Sequence, residues 1–278
     1  MSPVESDETD LTRKQRRDQA RAQRRAMEEA AAAGAVRRKR LTQLGIVASV
    51  VVVVIIIVLI ATGGSKSGIP KTAHEKNATV TAVTSLVGGI PQSGNALGSP
   101  TAPVTLKYFG DLECPICKEF TLGALPQIIQ KWVRTGKVRV EYHSMETATR
   151  EPEVFKTQQV AAYAAGKQDK AWNFIETFYH EQGEEDSGYV TESYIEGIAS
   201  QVPGLNLTQW SSDRADPELA NEVETDKQIA NNEGFNGTPS FLIGRTGGGT
   251  EKITELSDAD LKEASALFEP KIEKLLKS

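Results

Sequence analysis

The sequence predicts an α/β domain held behind one membrane-spanning helix, and three observations carry that expectation. Composition is the first: 278 residues with 39% apolar and 25% charged side chains suit one or two globular domains with a sizeable core. That balance excludes collagen-like, wholly disordered and polytopic membrane classes. The second is residues 44–62, a run of 19 without a charge. The third is the order of patterns beyond that run, which reads β, α, β, a helical block, β, β, α with no internal repeat.

Residues 1–43 read as a cytoplasmic basic tail. The first 40 hold 11 Lys and Arg against 7 Asp and Glu, a net of +4 in a chain whose total is −5. Such charges suit anionic lipid or plain solvation, and no nucleic-acid role follows from them. As a helix the 44–62 run spans about 28 Å, close to the hydrocarbon thickness of a bilayer. Arg37, Arg38, Lys39 and Arg40 abut it on one side only, so the N-terminus stays in the cytoplasm and everything after Gly63 lies outside. A cleaved signal peptide would have a shorter charged region, a shorter apolar core and a small-x-small site, so a retained single-pass anchor in the cell membrane fits better. Residues 63–96 are rich in Gly, Ser and Thr and read as an extracytoplasmic linker with one extended piece at 78–83.

The folded domain is expected over 97–278. Residues 104–109 follow Pro103 as a short apolar strand. Phe120, Leu125, Ile128, Ile129 and Trp132 then mark a helix, kinked at Pro126 and closed by Gly136. Residues 138–142 alternate as a second strand. From 152 to 232 the pattern is helical, with segments at 160–165, 172–179, 191–200 and 217–232. Strand character returns at 240–243 and, after Gly247, Gly248 and Gly249, at 252–254. Residues 258–277 read as one last helix.

Both cysteines of the chain sit in one Cys114-Pro115-Ile116-Cys117 motif. A structural disulfide over so short a loop removes little unfolded-state entropy. A zinc site needs four ligands, and with 3 His and no second cysteine pair the sequence offers no such set, so no metal is expected. Thiol–disulfide exchange gains from the spacing, because one thiol attacks and its neighbour resolves the mixed disulfide before the partner drifts away. A strand delivers Cys114 to a helix start, where Pro115 suits the first helical position and free N–H groups favour a thiolate. Cys114 is the candidate nucleophile and Cys117 the resolving thiol.

Together with Val104-Thr105-Leu106, the segment Asp111-Leu112-Glu113-Cys114-Pro115-Ile116-Cys117 and the later Gly237-Thr238-Pro239-Ser240-Phe241 resemble the DsbA-like, membrane-anchored thiol–disulfide oxidoreductases of bacteria. The resemblance covers residues 88–278. It implies a thioredoxin fold with an inserted helical domain at about 152–232, and a loop that sets Thr238 and a cis Pro239 beside the cysteines. There the Thr238 backbone would face outward, ready to pair with a substrate chain as an extra strand. Pro115, Ile116, Thr238 and Pro239 are accordingly the candidate substrate-binding residues. The partners it implies are thiols of secreted or surface proteins and a quinone-linked membrane redox partner. The dithiol carries the electrons, so no organic cofactor is expected.

The resemblance has one departure. Relatives carry a buried carboxylate six residues before the first cysteine, and here that position is Tyr108, a poor proton acceptor best read as a core aromatic. Asp111, Glu113 and Glu119 are candidate anions that would raise the Cys114 pKa, partly opposed by Lys118, which predicts a less oxidising pair than the strongest oxidants. His143 reads as structural. Two other functions stay open. One is a reductase or isomerase serving cytochrome or metal-centre assembly, and the other is a client-binding module whose cysteines sense redox state without turnover.

Overall fold

The computed structural model describes residues 73–253, 256–264 and 267–278, which lie within one unit running from Lys66 to Ser278. The expected tail and the apolar run at 44–62 lie outside the described residues. Among those that are described, no helix is long and apolar enough to cross a membrane.

Strand β3 (Val104–Gly110) has six of seven residues buried, which marks a strand covered on both faces. It pairs in parallel with β4 (Val138–Ser144), from Val104 opposite Val138 to Gly110 opposite Ser144. On its other side β5 (Ser240–Arg245) runs antiparallel and is followed by β6 (Thr250–Ile253). A short hairpin, β1 (Gln92–Ser93) with β2 (Ala96–Leu97), extends the far edge, giving the order β1-β2-β4-β3-β5-β6. The C-terminal ends of the parallel pair open onto the loop that carries Cys114.

Ahead of the hairpin, the stretch expected to be extended at 78–83 lies inside helix α1 (Ala73–Val87). Its β-branched residues argued for a strand. Thr79, Val83 and Val87, four apart, instead form one buried helical face. A guanidinium far along the chain finishes this helix: Arg134 donates to the carbonyls of Gly88 at 3.0 Å, Leu86 at 2.7 Å and Ser85 at 3.2 Å. The folded unit therefore begins upstream of Leu97.

The crossover from β3 to β4 was expected as one kinked helix. It is α2 (Pro115–Leu122), α3 (Ala124–Ile128) and a π-helical turn (Ile129–Val133). Pro126 has no N–H to offer the Leu122 carbonyl, so the ladder fails there. Gly123 at the break admits the backbone of a later helix, since a Cβ on it would stand 2.6 Å from the Leu261 oxygen. Gly136 ends the crossover with φ +74°.

The helical block consists of α4 (Pro152–Gly166), α5 (Ala171–Glu181), α6 (Glu192–Ala199), α7 (Leu207–Asp213) and α8 (Pro217–Asn232). Helix α7 carried no sequence signal beyond Asn206, whose side chain caps it, and Trp210, which donates from its indole to the Ala161 carbonyl at 2.8 Å. Helix α5 is buried from Ala171 through Tyr179 because it is packed on several sides at once. The helix expected at 258–277 is two: α9 (Asp258–Lys262), closed at its start by a Ser257–Asp260 capping box, and α10 (Phe268–Lys277). Pro270 cannot donate within a continuous helix but fits the first turn of α10. Phe268 brings α10 onto Phe120 and Phe241, with ring centroids 5.5 and 5.1 Å away.

Candidate active site

After β3 the chain turns through Asp111, Leu112 and Glu113 and delivers Cys114 as the N-cap of α2, with Pro115 in the first turn. Both cysteines are free thiols. The Cys117 N–H donates to the Cys114 sulfur at 3.3 Å, and the Cys114 thiol donates to the Thr238 carbonyl at 3.5 Å. The peptide bond between Thr238 and Pro239 is cis. Cys114, Cys117, Thr238 and Pro239, 124 residues apart at the Cys114–Thr238 contact, thus come together. Pro115 and Ile116 stand exposed beside them, Ile116 at 43%.

The two thiols are in unlike electrostatic positions. Cys114 is drawn down to about 7 by its hydrogen bond with the Cys117 thiol, against the effect of burial, with Thr238 and the N–H groups of Cys117 and Ile116 helping. Cys117 is wholly buried, and that burial together with the neighbouring Cys114 pushes it well above an ordinary thiol. Near neutral pH Cys114 is substantially thiolate while Cys117 keeps its proton.

This corrects the sequence expectation that nearby acids raise Cys114. Asp111 is fully buried and turned toward the loop after β4. Its carboxylate accepts N–H bonds from Thr147, Ala148 and Thr149 at 3.0, 2.9 and 2.9 Å, the Thr149 hydroxyl at 2.6 Å and the Glu113 N–H at 3.0 Å. Glu113 is pushed up to about 7, mainly by burial and then by Asp111, so it is a weakened anion. Glu119 is exposed on the outer face of α2. Lys118 reaches the Gln182 carbonyl at 3.2 Å, while the Gln182 amide donates to the carbonyls of Leu112 and Cys114 at 2.7 and 3.1 Å. Gln182 thereby ties the end of α5 to the cysteine turn. No sequence signal marked Gln182 or Thr147, because their partners lie dozens of residues away.

Tyr108 is the core aromatic expected of it. Its ring stacks on Phe241, and its hydroxyl meets the Cys117 carbonyl at 3.4 Å, Thr121 at 3.2 Å and Tyr179 at 3.1 Å. Burial raises its pKa well above 10, so it supplies no base to Cys117. His143 is structural as well. It stacks on Phe109, and its Nδ1 lies 2.6 Å from Asp226, which joins β4 to α8. Among the described residues no group of His, Cys, Asp and Glu could hold a metal ion.

A family model described as thioredoxin matches residues 92–263. The chain is 25% identical over 149 residues to the probable disulfide bond formation protein D of Bacillus anthracis, covering 53% of this chain and 68% of that protein. Among solved structures it is similar to oxidised BdbD from Bacillus subtilis, with a TM-score of 0.55 and 23% identity over 69% of this chain and 99% of that one. It is also similar to alpha-DsbA1 from Wolbachia pipientis, with a TM-score of 0.52 and 20% identity over 66% and 90% of the two chains.

Proposed function

The chain belongs to the thioredoxin family and is a DsbA-like thiol–disulfide oxidoreductase, and from that premise we propose that it forms or exchanges disulfides in secreted or surface proteins through Cys114 and Cys117. The observation that carries this reading is the asymmetry of the pair: a lowered thiol capping a helix start, and a buried partner with a raised one.

In the oxidase direction a substrate thiolate attacks the Cys114 sulfur of the Cys114–Cys117 disulfide. That S–S bond breaks, a mixed disulfide forms, and Cys117 leaves and takes up a proton. Cys114 is the easier sulfur to reach, since it keeps 5% exposure and Cys117 keeps none. A second substrate thiolate then attacks the substrate sulfur of the mixed disulfide and releases Cys114 as the better thiolate leaving group. The substrate loses two electrons and the pair gains them. Pro115, Ile116, Thr238 and Pro239 would contact the incoming chain. A quinone-linked membrane partner would reoxidise the dithiol, and the apolar run at 44–62 would anchor the enzyme with its catalytic domain outside the cytoplasm.

The reduction potential of the full-length protein in glutathione buffers tests the direction. A Cys114 drawn only to about 7 supports a couple less oxidising than the strongest oxidants, which combine thiols near 3.5 with potentials of about −120 mV. A value near −120 mV would contradict that. One near −270 mV would favour a reductant fed by a membrane electron donor. Cys114→Ser is expected to abolish exchange while far-ultraviolet circular dichroism stays unchanged. Complementation in cells that survived C114S would favour a client-binding module.

A further inference from the structure

In the reduced protein with Cys114 protonated, four hydrogen bonds close a ring around the reacting sulfur. The three that run from the Cys114 N–H through Asp111 and Thr147 to Thr238 need no thiol hydrogen. The Cys114 N–H donates to the Asp111 carbonyl at 3.0 Å, and the Asp111 carboxylate accepts the Thr147 N–H at 3.0 Å. The Thr147 hydroxyl shares a hydrogen with that of Thr238 at 2.5 Å, and the Thr238 carbonyl accepts the Cys114 thiol at 3.5 Å. Asp111 belongs to this ring twice, by backbone and by side chain. One of its oxygens gathers three consecutive N–H groups, those of Thr147, Ala148 and Thr149, so the backbone of that loop is pinned before it reaches Thr238. The other holds the Thr149 hydroxyl and the Glu113 N–H, which fixes the turn into Cys114.

We propose that Asp111 is a positioning residue which, through Thr147 and Thr238, fixes the gap between the Cys114 sulfur and the Thr238 backbone, so that a polypeptide thiol meets the sulfur and a set backbone edge together. The inference rests on Cys114 being the exchanging sulfur. It differs from a role in charge, because the Asp111 carboxylate is spent on neutral donors and faces the loop. Thr147 is exposed at the rim, where a substitution leaves the core untouched. The Thr238 hydroxyl also helps hold the Cys114 thiolate, and Thr147 fixes the direction of that hydroxyl.

The test uses the full-length protein with a reduced peptide dithiol as substrate. Thr147→Val keeps the side-chain shape and removes the hydroxyl link. Its KM is expected to rise about fivefold, with kcat held within about twofold, as the loss of one positioning bond implies. The ultraviolet titration of the Cys114 thiolate is expected to move upward. Asp111→Asn, with its amide facing the same N–H groups, should raise KM further, and T147V alone decides if D111N does not fold. An unchanged KM and titration in T147V, beside an active wild type, overturns the ring and leaves the oxidoreductase reading standing. A wild type unable to exchange with the peptide removes both.

Discussion

Asp111 and Glu176 are both carboxyl side chains without solvent exposure, one at the cysteine turn and the other midway along α5. Asp111 accepts hydrogen bonds from four backbone N–H groups and a hydroxyl. Neither oxygen of Glu176 has a hydrogen-bond partner, and burial alone pushes that carboxyl up to about 8. The same functional group is thus a fastener in one region and a liability in the other. Depth of burial does not distinguish them; the number of donors aimed at each does. The difference also separates the region where geometry is held tightly from one where a polar atom is carried at a cost to stability.

Removing Asp111 should have the largest effect. Asp111→Ala strands the N–H groups of 147–149 and is expected to cost about 3–5 kcal/mol in urea unfolding, as the loss of one side of a buried charged network does. A loss below about 1 kcal/mol would erase the contrast. Replacing Glu176 should act in the opposite sense. Glu176→Leu is expected to add about 2 kcal/mol at pH 8. The unfolded chain ionises this group near 4.5 and the folded protein only near 8, so the folded state holds the extra proton between those values. Wild-type stability from this group therefore falls as pH climbs from about 4.5 to about 8, and the advantage of E176L widens over the same window. Equal midpoints for the two proteins at pH 5 and pH 8 would break the comparison.

His143 offers the smallest and finest test, as a buried group of the other sign. Burial lowers its pKa, but Asp226 and Glu141 outweigh that and raise it above 6.5. Its contribution is complete below the unfolded value and disappears as pH rises through the folded one. His143→Gln should cost about 1 kcal/mol at pH 5.5 and less at pH 8.5, read from paired urea curves. A cost that grew with pH would reverse the assignment.

The parts of the fold legible in the sequence are those whose signal is local. A strand, a Cys-Pro-Ile-Cys turn and a helix start stand within twenty residues, whereas Thr238-Pro239, directly before β5, was set beside them only by the family resemblance, since the contact spans 124 residues. The extended reading of 78–83 failed because β-branched residues outweighed a four-residue spacing, and the Arg134 carbonyl contacts that favour helix lie 46 to 49 residues away. The direction of Asp111 was illegible for the same reason: its loop partners Thr147, Ala148 and Thr149 lie 36 to 38 residues on. A sequence shows that an acid is near a cysteine in the chain, and only the packing shows which way it faces. Pro126 announced a break correctly in kind, while Pro270 passed unread in a stretch expected as one helix, and where each helix resumed depended on what docked against it.

The distant capping of α1 has a consequence for the order in which the protein is made. Arg134 leaves the ribosome 46 to 49 residues after the carbonyls it binds. At synthesis rates of about 5–20 residues per second that interval is about 2–10 s. Throughout it, the nascent α1 has neither its cap nor α5 to lie against, and its β-branched residues give it little helical tendency of its own. The first described segment of the molecule to be synthesised therefore takes its final form only after α5 has followed it off the ribosome.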